Sequence, residues 1–186
     1  SMNFMYGFIE KQHNFIRGNC LHACKYCYMA EKKRRMPAVF DVPPTMNKTA
    51  FKSLGKGKFI FVGSSIDMFA SDIPDQWIAD GLAHCRKFDN QYLFQSKNPE
   101  RFFDFLTEFP KQTTLCTTIE SNSDYPAISR APSIASRISG IERMKSHFPV
   151  HITVEPILDF DFEEFGLMLN RIRPEQINIG FDTQKN

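Results

Sequence analysis

The stretch Thr113-Thr114-Leu115-Cys116-Thr117-Thr118-Ile119-Glu120-Ser121 carries two faces of opposite character. At the two-residue period of a strand, Thr114, Cys116, Thr118 and Glu120 share one side, and Leu115 and Ile119 lie on the other. The pattern recurs downstream. His151, Thr153 and Glu155 oppose Ile152 and Val154, and Asn178 and Asp182 oppose Ile177, Ile179 and Phe181. A parallel strand covered on both faces reads instead as a continuous apolar run, as Phe59-Ile60-Phe61-Val62 does. Three strands with one polar face fit either a sheet with a wet edge or an open barrel whose lumen holds a polar ligand. The barrel puts Glu120, Glu155 and Asp182 near the C-terminal strand ends, where such folds carry their chemistry.

Outward from these strands, short β-branched and aromatic runs alternate with longer helical patterns. Strands are expected near Asn14–Gly18, Lys58–Gly63, Gln91–Lys97, Thr113–Ser121, His151–Leu158 and Gln176–Phe181. Helices are expected near Thr45–Leu54, Pro74–Lys87, Pro99–Glu108, Ile134–His147 and Glu163–Ile172. Pro74 and Pro99, with Asp72 and Asn98 shortly before them, read as helix starts. Repeated strand–helix alternation implies right-handed crossovers and a parallel sheet. The expected fold is therefore α/β: a partial (β/α)6 open barrel of parallel strands, one domain over residues 1–186, with the sixth helix missing or truncated. An uncovered apolar strand face would favour a homodimer, a lost tail or a partner protein.

A chain of 186 residues can bury a sizeable core without disulfides, and its 19 Phe favour a dense interior. A formal charge of +2 is too small to argue for nucleic acid or a membrane surface. No apolar run approaches the roughly 20 residues of a membrane span, and the N-terminus lacks a signal-peptide pattern. Five cysteines, three of them within eight positions, do not read as a secreted disulfide framework, so a reducing cytoplasm is expected. Cys85 falls in a helix beside apolar residues and reads as core, while Cys116 lies deep on the polar face.

The crowded three form Cys20-Leu21-His22-Ala23-Cys24-Lys25-Tyr26-Cys27, a C-x3-C-x2-C spacing directly after the first expected strand. Three thiolates on one short loop can hold three corners of a cubane iron–sulfur cluster and leave one iron open. Zinc is the rival, with His22 as a fourth ligand, although structural zinc sites usually draw on paired C-x2-C or His units. Lys32-Lys33-Arg34-Arg35 follows as the one basic run. It is either a solvated face or a surface for an anionic substrate or an acidic electron donor.

Motif and context together resemble the radical S-adenosylmethionine (SAM) superfamily: C-x3-C-x2-C, aromatic Tyr26 before the last Cys, then successive β/α units. Within it, the order of Ser64-Ser65-Ile66-Asp67, Phe94-Gln95-Ser96-Lys97, Thr117-Thr118-Ile119-Glu120-Ser121 and Val154-Glu155-Pro156-Ile157 is similar to the spore photoproduct lyase-related branch. The resemblance implies a [4Fe–4S] cluster on Cys20, Cys24 and Cys27, with SAM chelating the open iron. It further implies an electron donor such as flavodoxin or ferredoxin, and a 5′-deoxyadenosyl radical that takes hydrogen from a substrate.

Site residues follow by position. Tyr26 would present its backbone to adenine, or is a packing aromatic. Gly63-Ser64-Ser65 stands where the superfamily often has a Gly-Gly-Glu-like segment for the methionyl amino group. The Glu is missing here, so backbone carbonyls or Ser65 would substitute, with Asp67 a further candidate. Lys97 would pair with the SAM carboxylate, or is a solvated lysine. Thr118, Glu120 and Ser121 offer acceptors for the ribose hydroxyls. Glu155 would bind SAM, contact substrate, or pair with Lys97 or an arginine. Members of the branch are longer and use a later cysteine to quench a radical; nothing in this sequence matches it, so thymine-dimer repair is not expected. A radical SAM enzyme of unknown substrate stands against two alternatives: an inactive zinc or cluster module, and an electron-transfer or sensing protein.

Overall fold

Phe59–Val62 forms the strand that its apolar run predicts, in a computed structural model that describes residues 6–180. Among the described residues eight strands occur in chain order: β1 Lys11–His13, β2 Ile16–Arg17, β3 Thr45–Met46, β4 Phe59–Val62, β5 Gln91–Gln95, β6 Thr113–Thr118, β7 Val150–Val154 and β8 Gln176–Ile179. Six of them make one sheet in the order β1-β4-β5-β6-β7-β8, with every neighbouring pair parallel. The α-helices are α1 Ala30–Arg35, α2 Pro37–Phe40, α3 Asp75–Cys85, α4 Ile134–Met144 and α5 Phe162–Ile172. This is the expected α/β architecture. Phe181 and Asp182 lie outside the described residues.

The two sheet faces divide as the alternation requires. Ile60, Val62, Tyr92, Phe94, Leu115, Ile152 and Val154 join Ile78 and Leu82 of α3 and Ile138 and Ile141 of α4 in the main core. On the opposite face Phe61, Leu93 and Cys116 form a smaller apolar cluster with Tyr6 and Ile9 of the N-terminal segment. Above that cluster the same face turns polar. Tyr6 donates its hydroxyl to Gln95 of β5 at 2.6 Å and bonds Thr153 of β7 at 2.6 Å. These strands stand two places apart, about 9.6 Å in a flat sheet, yet both side chains meet one hydroxyl oxygen.

Three local expectations change. The first sheet strand is Lys11–His13, not Asn14–Gly18; within that span Ile16–Arg17 pairs antiparallel with Thr45–Met46 in a separate ribbon. Lys11–His13 lacks an apolar run because it sits at the sheet margin, pairing with β4 alone. No helix fills Thr45–Leu54, which holds β3 and a single 3-10 turn, Lys48–Ala50. Asn47 explains this: its side chain accepts from Arg17 and from Thr49 and donates to the Asn14 carbonyl, holding the chain in a turn. Pro99–Phe105 is a 3-10 helix. Asn98 does not cap it and instead donates to the Phe69 carbonyl. Gly140 of α4 faces this segment so closely that a Cβ would lie 2.3 Å from the Glu100 nitrogen.

Candidate active site

Each parallel strand delivers its following loop to one end of the sheet, and the cysteine loop joins them there. Together they line a cavity of about 320 Å³. Cys20, Cys24 and Cys27 all border it, none of them in a disulfide, with Tyr26, Gly63, Ser64, Ser65, Lys97, Thr118 and Glu155. Glu120 and Ser121 do not. Glu120 borders a second cavity of about 310 Å³, which Tyr26 also lines. The Ser121 hydroxyl is directed to the Asp159 carbonyl at 2.6 Å.

The walls are built from specific bonds. Gly63 leaves β4 at φ +83°, a conformation side chains resist, and so turns the chain over the strand ends. Asn14 fixes the next two residues by donating to the Ser64 hydroxyl at 3.1 Å and accepting the Ser65 N–H at 2.9 Å. Tyr28 donates its hydroxyl to the Ser64 carbonyl, which ties the cysteine loop to the same turn. On the far wall, Gln95 donates to Thr118 at 3.0 Å. Glu155 packs over Gly180, where a Cβ would fall 2.5 Å from its carboxylate.

Lys97 is the electrostatic centre. Its Nζ lies 2.5 Å from Glu120 Oε1, 2.7 Å from the Tyr26 hydroxyl and 3.5 Å from Cys24 Sγ. Tyr26 donates to the same Glu120 oxygen at 2.5 Å. The other oxygen accepts from Arg137 of α4 at 2.6 Å. Burial works against the Glu120 carboxylate, but the Lys97 and Arg137 charges hold its pKa below the usual range. Burial, then the Glu120 charge, pushes the Tyr26 phenol far up, so it is a hydrogen-bond donor at neutral pH. Two cations thus share one buried carboxylate.

Asp67 is the second hub. Its Oδ2 lies 2.6 Å from His22 Nε2 and accepts from the Ser96 hydroxyl at 2.9 Å and the Lys97 N–H at 2.8 Å. Oδ1 accepts the Phe69 N–H at 2.9 Å. Burial would raise this carboxyl, but the bond and charge of His22 and the other donors hold it low. The Cys20 thiol, mainly by burial and next by the Asp67 charge, is pushed up to about 12. Cys24 Sγ lies 3.1 Å from the Ser129 hydroxyl. Among the described residues, no three His, Cys, Asp or Glu side chains converge tightly enough to hold a single metal ion.

Sequence reasoning missed Arg137, Gln95, Asn14, Tyr28 and Ser129, and treated His22 only as a zinc ligand. Gln95 was legible, because it shares the lumen face that Thr118 and Thr153 reveal. Arg137 was not, since it reads as one more polar residue on a helix and its partner lies 17 positions away. Cys85 is buried as expected, and Cys116 is buried beneath the cavity beside Thr153. Among the described residues, no helix is long and apolar enough to cross a membrane.

Neither a family model nor a curated protein matches the sequence. Solved structures do. Spore photoproduct lyase complexed with dinucleoside spore photoproduct aligns at TM-score 0.64 and 15% identity, covering 89% of this chain and 54% of that chain. A lyase mutant with bound AdoMet and dinucleoside spore photoproduct aligns at TM-score 0.63 and 14% identity, covering 86% and 50%. This chain spans about half the length of those proteins. The neighbours are radical SAM enzymes built on partial (β/α) barrels, and the present chain has their fold.

Proposed function

We propose that the protein is a radical SAM enzyme, with Cys20, Cys24 and Cys27 holding a [4Fe–4S] cluster and SAM bound across the strand ends. When bound, the cluster and SAM supply one-electron cleavage of a carbon–sulfur bond and hydrogen abstraction from a substrate. The observation that carries the reading is the placement of all three loop cysteines on one cavity with Lys97. The donor set fits the group. A single zinc ion needs its ligands about 2.0–2.3 Å from one point. A cubane ties each thiolate to a different iron and asks for a wider spread.

The chain's own residues orient SAM. Lys97, one of two cations on a single carboxylate, receives the methionyl carboxylate. The turn at Gly63-Ser64-Ser65, braced by Asn14 and Tyr28, offers carbonyls and hydroxyls to the methionyl amino group. Thr118 sits on the lumen wall for a ribose hydroxyl, whereas Glu120 acts from behind by positioning Lys97 and Tyr26. Glu155, also on the cavity wall, would contact SAM or substrate. An electron donor would approach the exposed Lys32, Arg34 and Arg35 beside the cysteine loop.

The test is anaerobic reconstitution with iron and sulfide, followed by metal analysis, visible absorption and SAM calorimetry. Cluster absorption with SAM binding is expected, and Cys24→Ala should lose the iron. Stoichiometric zinc with four protein ligands, or iron retained in Cys24→Ala, overturns the reading.

A further inference from the structure

We infer that the Ser129 hydroxyl, on the loop between β6 and α4, tunes the reduction potential of the cluster on the cysteine loop by hydrogen-bonding the Cys24 sulfur. The inference rests on the cluster reading above. Ser129 Oγ lies 3.1 Å from Cys24 Sγ, 105 residues away in the chain. Between a thiol and a hydroxyl either atom could donate. A thiolate bound to iron has no proton, so there the hydroxyl is the donor. The Ala131 N–H already donates to the same hydroxyl oxygen at 3.2 Å, which leaves Ser129 its own proton for the sulfur.

The two loops are stitched together on both sides of this contact. The Lys25 N–H donates to the Ile128 carbonyl at 2.9 Å, and the Arg130 N–H to the His22 carbonyl at 2.7 Å. Within its own loop, the Ser129 N–H donates to the Tyr125 carbonyl at 3.1 Å. None of these bonds involves the hydroxyl. The backbone therefore places Ser129 at Cys24, and the side chain adds the bond to sulfur. Ser129 borders the second cavity and Cys24 the first, so the hydroxyl meets the sulfur without lining the cavity assigned to SAM. Lys97 Nζ approaches the same sulfur at 3.5 Å but is shared with Glu120 and Tyr26. Hydrogen bonds to the sulfurs are one of the levers on a cluster's potential. They favour the reduced form, which carries one more electron, and so raise the potential. Ser129 is a positioning residue, acting through Cys24 as outer partners of metal ligands do.

The experiment compares wild type, Ser129→Ala, Ser129→Thr and Ser123→Ala after anaerobic reconstitution with iron and sulfide, without SAM. Iron content and midpoint potential are read by metal analysis and spectroelectrochemistry at one fixed pH. Ser129→Ala should keep its iron, because the backbone bonds that place the loop remain, and its potential should move to more negative values. Ser129→Thr keeps a hydroxyl and should stay nearer wild type. Ser123 borders the same second cavity, and Ser123→Ala should match wild type. Resonance Raman supplies a second readout: the shift of the Fe–S(Cys) stretching bands in D2O should shrink in Ser129→Ala. Iron-loaded Ser129→Ala with the wild-type potential or an unchanged D2O shift, Ala and Thr displaced equally, or loss of iron from Ser129→Ala alone overturns the inference and leaves the cluster reading standing. Wild-type protein that takes up no iron overturns the cluster reading, and the inference with it.

Discussion

Lys97 and Glu120 lie just beyond neighbouring strands and form a buried ion pair at 2.5 Å, and the same carboxylate also binds Arg137 at 2.6 Å. Removing the shared anion leaves two cations without a partner. Breaking one side of a buried pair costs about 3–5 kcal/mol. Glu120→Gln should lower unfolding stability by that order in urea titration. A change below about 1 kcal/mol would contradict the account of this centre.

Removing Lys97 has the opposite balance, because Glu120 and Arg137 then neutralise each other. Lys97→Met should keep the fold and the iron while weakening SAM. A charge-assisted hydrogen bond is worth about 1.5–3 kcal/mol, or roughly ten- to a hundredfold in affinity. Calorimetry on reconstituted protein checks this. Unchanged SAM affinity in Lys97→Met removes the lysine from the site.

Acid should destabilise the protein in two stages. Burial lowers the His13 pKa to about 4, against an unfolded value near 6.5. Between those values the unfolded chain binds a proton that the native chain does not, so stability falls as pH drops through this window. The loss is on the order of 2–3 kcal/mol by pH 4. Glu120 and Asp67, both held low in the fold, contribute stability at neutral pH that disappears as pH falls further, through their native values. His13→Phe should flatten the upper stage in urea midpoints measured from pH 7 to 4. It should not abolish it, since burial also lowers His151. An unchanged slope in His13→Phe contradicts the assignment.

Gly140 lets α4 lie against the backbone of Pro99 and Glu100, which would stand 2.7 and 2.3 Å from a Cβ. Gly140→Ala raises helix propensity by up to about 1 kcal/mol, yet it must push two backbone segments apart. The steric term should win, with net destabilisation of about 1–3 kcal/mol. A rise in Tm would show that this interface has slack.

The sheet was legible where a strand's environment is uniform or strictly two-sided. Phe59–Val62 reads as doubly covered, and the Thr118 and Thr153 alternation reads as lumen. Lys11–His13 was hidden because a margin strand needs no apolar run, while Phe15 and Ile16 beside it mimic one. Thr45–Leu54 carries helical spacing that Asn47 overrides through three local bonds. For the site, a short motif exposed the cysteines, and the order of strand ends located Lys97. The supports of these groups were not legible. His22 and Asp67 are 45 positions apart and Glu120 and Arg137 17, and only the crossovers bring them together.

The central claim is that this cavity cleaves SAM reductively, and the most direct measurement is 5′-deoxyadenosine formed anaerobically with SAM and dithionite. The lumen carries polar side chains such as Thr118 and Thr153, so the site without substrate shields poorly against water and slow uncoupled turnover is expected. Chromatography over hours should show 5′-deoxyadenosine from wild type and none above background from Cys24→Ala. A reducible cluster and measurable SAM affinity without 5′-deoxyadenosine, or equal product from Cys24→Ala, would contradict the account.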